Sequence, residues 1–159
     1  MKHKLFRLAN RLLRNIPEAE DVVQEVFIRL WNRRDKLTQY KSLEAFSVTI
    51  TKNLCLDRLK SKRNKTDELT EQNVKPERLT PAKAMELNDS YRMINKLINR
   101  LPEQQRLIIQ MRDIEGYEHA EIAEMLNTNE NAVRVNLSRA RKKIRDDMQK
   151  QYNYEYTGH

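Results

Sequence analysis

Residues 119–145, HAEIAEMLNTNENAVRVNLSRARKKIR, decide the fold. Ile122, Ala123 and Leu126 place an apolar stripe on one short helix. Asn127-Thr128-Asn129 then breaks the pattern. Asn tolerates the left-handed backbone that ends a helix, and Thr128 or Asn129 can cap the next one. In that second helix Val133, Leu137, Ala140, Ile144 and Met148 recur at spacings of three and four. Arg134, Ser138, Arg141, Lys142 and Arg145 fall on its other face. A short helix, a tight turn and a longer basic helix make a helix-turn-helix, whose second helix fits a major groove. The implied partner is DNA. A merely solvated bundle helix would mix charge signs, whereas no acidic residue stands between Asn131 and Arg145.

Composition narrows the class. The chain has 159 residues, a formal net charge of +8 and a pI of about 9.6. Such a balance favours nucleic acid or an anionic surface. With 34% charged and 38% apolar residues, modest helical cores fit better than one large core. Only 2 glycines and 4 prolines argue against turn-rich β architecture, and no period-two alternation is sustained. No apolar run approaches the roughly 20 residues of a membrane span. The start, MKHKLFRLANRLLR, is basic and amphipathic and lacks a secretory pattern. The single Cys55 and 3 scattered histidines offer neither an internal disulfide nor a metal cluster. A cytoplasmic protein without metal, cofactor or membrane insertion is expected, with Cys55 as a small packing residue.

Upstream, Leu5, Leu8, Ala9, Leu12 and Leu13 form a helical stripe. Pro17 opens a second helix at a permitted first-turn position, with Glu18, Glu20 and Asp21 near its positive end. Its stripe is Ala19, Val22, Val23, Val26, Phe27 and Leu30, and Trp31 is expected as a core or edge anchor. Residues 37–43 read as a loop. A third helix is expected over 44–62, with Phe46, Ile50 and Leu54 on one side. Residues 65–84 change to Thr, Glu, Asn, Lys and Pro, the composition of a linker. Beyond it Leu87, Tyr91, Ile94 and Ile98 form a stripe. Pro102 starts a helix burying Leu107, Ile108, Met111 and Ile114, and Gly116 ends it. The tail QYNYEYTGH reads as polar and frayed. The expected fold is all-α: a helical domain over 1–64, a flexible linker over 65–84, and a domain over 85–159 built on the helix-turn-helix.

Two further surfaces stand out. Asp21, Gln24, Glu25 and Arg29 share the polar face of the second helix. Asn53 and Asp57, four apart, share a face of the third, followed by Arg58, Lys60, Lys62, Arg63 and Lys65. Asn can bond a base edge. Read singly, each is also an ordinary exposed surface, and cations suit a helix C-terminus.

Their order carries more. AEDVVQEVFIRLW at 19–31, the Asn53/Asp57 helix, LPEQQRLIIQMRDIEGYEHAEIAEMLN at 101–127 and AVRVNLSRARKKIR at 132–145 together resemble the bacterial RNA polymerase sigma factors of the extracytoplasmic-function group. The resemblance runs from about Leu5 to Met148. It implies a first domain that binds the polymerase clamp and the minus-ten element, and a second that reads the minus-thirty-five element. By that resemblance Asp21, Gln24 and Glu25 dock on core RNA polymerase. Asn53 and Asp57 face the melted minus-ten strand, Arg58, Lys60, Lys62 and Arg63 hold phosphates, and Tyr40 stacks on an unpaired base. Arg134, Ser138, Arg139 and Arg141 meet the minus-thirty-five duplex of promoter DNA, Arg112 a phosphate, and Lys142 adds unspecific attraction. The resemblance also implies no catalysis and control by a separate anti-sigma protein. Three departures are visible: fewer residues before Leu5 than the family usually has, Ser47 where a leucine is common, and Asn127 at the place of a turn glycine.

Two other readings remain open on sequence alone. A stand-alone repressor or activator explains residues 101–148 but leaves the first domain without a role. A protein-binding helical adaptor makes Arg134 and Arg141 dispensable.

Overall fold

The computed structural model describes residues 1–66 and 89–156, in which no strand occurs. The chain divides into two compact units, Met1–Arg78 and Leu79–His159. The expected linker lies, beyond Thr66, outside the described residues, as does Leu87.

In the first unit α1 (Lys2–Leu13) buries all five residues of its stripe. Arg14 ends it in the left-handed conformation at φ 51°, its N–H bonding the Asn10 carbonyl at 2.7 Å. The Asn15 side chain then caps α2 (Ile16–Asn32), accepting the Glu18 N–H at 3.0 Å, with Pro17 in the first turn. Ala19, Val22, Val23, Val26 and Leu30 are buried, whereas Phe27 stands at the flank of the stripe and is partly exposed. A 3₁₀ helix, Arg34–Gln39, reaches into the first three residues of the stretch expected as loop. Helix α3 (Leu43–Thr66) follows, its first turn closed by the Ser42 hydroxyl accepting from the Ala45 N–H. The three α-helices pack on one another.

The buried face of α3 differs from the expected one. Phe46, Ile50 and Leu54 are only half-buried. Ser47, Val48, Thr51 and Cys55 form the face turned inward, Ser47, Thr51 and Cys55 each at 0% exposure. Their spacing is as helical as that of the larger residues, and their small size lets α3 approach its neighbours closely. The hydroxyls cost little there because their own helix satisfies them: Ser47 donates to the Leu43 carbonyl at 2.7 Å and Thr51 to that of Ser47 at 2.8 Å. Ser47 is thus enclosed with its hydroxyl satisfied. Ser47→Leu is expected to destabilise the unit by about 1–3 kcal/mol through overpacking, as a lower urea midpoint. An unchanged or raised midpoint would show that the site has room.

In the second unit α4 (Asp89–Asn99) leads to Pro102 and α5 (Glu103–Ile109), which continues as a π turn, Gln110–Ile114. Gly116, at φ 80°, stops it with its N–H on the Arg112 carbonyl. Then come α6 (His119–Met125) and α7 (Glu130–Tyr156). Leu97, Ile98, Leu107, Ile108, Met111, Ile122, Val133, Leu137 and Ala140 make the core, with α7 packed on α4, α5 and α6. Tyr91, Ile94 and Ile114, expected inside, are exposed. The expected frayed tail is helical through Tyr156.

The buried Arg106 belongs to this frame. At 8% exposure it donates from Nη1 to the Asn99 carbonyl at 3.3 Å, tying the end of α4 to α5. This explains the arginine after Leu101-Pro102 as a structural clamp.

Candidate nucleic-acid interface

The turn between α6 and α7 sets the presentation of α7. Asn127 adopts φ 53°, and two bonds close the motif: Thr128 N–H to the Ala123 carbonyl at 2.8 Å and Asn127 N–H to that of Glu124 at 3.2 Å. This doubly bonded left-handed cap satisfies the last carbonyls of α6. Asn129 caps α7 by accepting the Ala132 N–H at 2.8 Å. Glu121 reaches back to the Glu118 N–H at 3.1 Å, fixing the start of α6.

With both helices fixed, Arg134, Ser138 and Arg141 come together with His119, Leu137 and Arg145 around a shallow open cleft. Arg134, Ser138, Arg141 and Arg145 are exposed and follow one another at spacings of three and four along α7. Arg139 and Lys142 are exposed but do not line that cleft; helical spacing puts Arg139 on the opposite flank of the helix. No ion-pair partner of Arg134 occurs among the described residues.

Arg141 is anchored. Its Nε donates to one Asp113 oxygen at 3.0 Å and its Nη2 to the other at 2.5 Å. That hydrogen bonding holds the guanidinium pKa above its ordinary value. Arg112, the neighbouring candidate, directs Nη1 at the Tyr117 carbonyl, 2.9 Å away, and lies 3.8 Å from a Glu118 oxygen. Its first task is to close the turn leading into α6.

In the first unit Asn53, Asp57 and Lys60 recur at helical spacing on the exposed side of α3, with Arg63 exposed nearby and Arg58 half-buried. Lys62 is paired with Glu18 at the start of α2. Tyr40 stacks on Phe46, ring centroids 4.0 Å apart and planes 18° from parallel. Phe46 is thus a support for Tyr40 as well as a residue of α3. On α2, Asp21 and Gln24 are exposed, and Glu25 bonds Arg29 at 3.0 Å.

That face of α2 also holds Ile28, which the sequence reading did not single out, and Trp31, expected as a core or edge anchor. Ile28 is 57% exposed and Trp31 66%. Of the two places expected for Trp31, its exposure rules out the core; it stands at the edge, its ring under the Arg34 guanidinium at 4.6 Å. Asp21, Gln24, Ile28 and Trp31 follow at spacings of three and four, so the polar patch continues into an apolar one. The signal existed in Ile28, which the helical wheel places away from the buried stripe.

Burial pushes the Cys55 thiol up to about 12, which denies it thiolate character. Among the described residues no group of His, Cys, Asp and Glu could hold a metal ion, and no helix is long and apolar enough to cross a membrane.

Comparison with known proteins agrees with the division into two units. The family description "Sigma-70 region 2" matches residues 1–65, and "Sigma-70, region 4" matches 91–144. The ECF RNA polymerase sigma factor SigW of Bacillus subtilis is 27% identical, over 92% of this chain and 84% of its own. The ECF RNA polymerase sigma factor SigE of Mycolicibacterium smegmatis is 31% identical, over 92% of this chain and 58% of its own. In fold the chain is similar to the sigma factor RpoE of Bartonella quintana, solved in complex with the anti-sigma factor NepR. Here the TM-score is 0.79 at 20% identity, covering 93% of this chain and 91% of that one.

Proposed function

This chain belongs to the sigma-70 family, in its extracytoplasmic-function group, and is a sigma subunit for promoter-specific transcription initiation; from that premise we propose how its surfaces divide the work. The chain acts in the cytoplasm, dissociates from core RNA polymerase after use, and catalyses no bond change itself. Binding energy from polymerase and from two promoter elements positions the start site.

The exposed face of α2 docks on core polymerase. Asp21, Gln24 and Glu25 give it polar complementarity, while Ile28 and Trp31 supply the apolar area that interface cores favour. The outer side of α3 faces the minus-ten strand, Asn53 and Asp57 toward bases and Arg58, Lys60, Lys62 and Arg63 toward phosphates. Lys62 exchanges its Glu18 partner for a phosphate in that role. Tyr40, already held against Phe46, presents an aromatic surface for an unpaired base. In the second unit α7 enters the major groove of the minus-thirty-five element. Arg134, Ser138 and Arg141 address base edges and nearby phosphates, Arg139 and Lys142 the flanking backbone, and Arg112 a phosphate beyond its own turn. A separate anti-sigma protein covers these surfaces when transcription is not required, a reading supported by the RpoE–NepR pair.

The observation that carries this reading is a region-2 unit and a basic helix-turn-helix in one chain. A stand-alone repressor or activator would leave the first of them without use. Run-off transcription from fragments of the source genome tests it, with core polymerase alone and with the chain added. Discrete transcripts appearing only with the chain are expected; their absence, together with tight DNA binding by the chain alone, would favour the stand-alone regulator. Gln24→Ala combined with Glu25→Ala is expected to weaken polymerase assembly while the helical spectrum stays unchanged. Normal assembly in a competition experiment would reduce that patch to ordinary surface.

A further inference from the structure

A carboxylate stands at the edge of a surface otherwise suited to a polyanion. Arg134, Arg141 and Arg145 line the cleft of the second unit, and Asp113 meets Arg141 there. Against a ladder of phosphates Asp113 can only repel, so a sequence-blind binding surface would do better without it. Its position is nevertheless built. It sits in the π turn, where the Glu115 N–H reaches back five residues to the Gln110 carbonyl at 3.0 Å. Such single widened turns are rare and concentrate at functional sites. Arg112 braces the same turn through the Tyr117 carbonyl.

The geometry of the pair indicates a use. Asp113 occupies the Nε–Nη2 edge of the guanidinium. The adjoining Nη1–Nη2 edge keeps its outward N–H donors, which form a second fork. Such a fork matches the N7 and O6 acceptors of guanine in the major groove. A half-exposed arginine left to itself samples many rotamers and settles equally well on any phosphate. One held by a carboxylate is fixed in plane and direction, which is what discrimination between bases requires.

We propose that Asp113 is a positioning residue for sequence recognition: it holds the Arg141 guanidinium so that its outer edge reads a guanine, and its charge lowers affinity for DNA of other sequence. The inference rests on the reading of α7 as the recognition helix.

The experiment uses holoenzyme assembled with the full chain and two duplexes. One is a promoter fragment recovered by run-off transcription; the other is the same fragment with its upstream element scrambled. For Asp113→Asn, binding to the promoter is expected to fall about tenfold, while binding to the scrambled duplex holds or rises as a repelling charge is lost. Arg141→Ala should lower the promoter-to-scrambled ratio comparably, and the double variant should add little to either single one. Asp113→Glu should retain most of the ratio. Thermal unfolding of each variant separates these effects from loss of fold, and a merely structural Asp113 would weaken both duplexes equally. Equal weakening, or an unchanged ratio in Asp113→Asn beside a lowered one in Arg141→Ala, overturns the inference alone. An unchanged ratio in Arg141→Ala overturns the recognition-helix reading and the inference with it.

Discussion

Alanine at Arg134 is expected to lower transcription from promoters that depend on the minus-thirty-five element by about 5- to 150-fold, the equivalent of the roughly 1–3 kcal/mol a bidentate base contact contributes. Arg134 lies one turn before Ser138 and two before Arg141 on the same exposed face. Nothing among the described residues competes for its guanidinium, so the loss reports contacts to DNA and not a broken internal pair. Promoters lacking the upstream element should be nearly indifferent to the change. Lys142→Ala offers the contrast. It should weaken binding about uniformly across sequences and reduce the salt dependence by about one phosphate contact. Equal activity of the Arg134→Ala variant on promoters with and without the element would remove α7 from the recognition role.

Leu12→Ala should destabilise the first unit by about 2–5 kcal/mol, the range for a large-to-small change in a close-packed core. Leu12 is 1% exposed on α1, the short helix that packs on both α2 and α3. Three helices of this length bury little apolar surface, and units of such size are only marginally stable, so the change consumes much of what holds them together. The measurement is hydrogen exchange of the amides of α1 to α3 in the full chain, where the slowest protection factors should collapse by about thirtyfold or more. A drop smaller than about fivefold, near 1 kcal/mol, would show that α1 contributes less to the core than its burial implies. The polymerase and minus-ten surfaces lie on α2 and α3, so transcription should fail in this variant although no proposed contact residue is altered.

The departures noted in the sequence are resolved by local geometry. α1 begins at Lys2 and still presents five buried residues to its neighbours. Asn127 takes the left-handed conformation that a glycine would take more cheaply, and its doubly bonded cap offsets the difference.

What the sequence determined by itself was everything governed by near neighbours along the chain. The cap at Asn129, the first-turn Pro17, the stops at Asn127 and Gly116, the stripe of α1 and most of those of α2 and α7 depend on residues a few positions apart, and these were legible; Phe27 is exposed and Ile144 and Met148 are only half-buried. The exposed row Arg134, Ser138 and Arg141 was legible for the same reason, since helical spacing alone puts them on one face. Only the tertiary structure decided which side of α3 is buried. Hydropathy favoured Phe46, Ile50 and Leu54, but close approach of helices rewards small side chains, and Ser47 and Thr51 could satisfy their hydroxyls within their own helix. Only the tertiary structure joined Asp113 to Arg141, a pair 28 residues apart whose meeting depends on the π turn and the packing of α7. And only it left Trp31 in solvent beside Ile28, because the three-helix core is filled without them and their apolar surface remains for a partner.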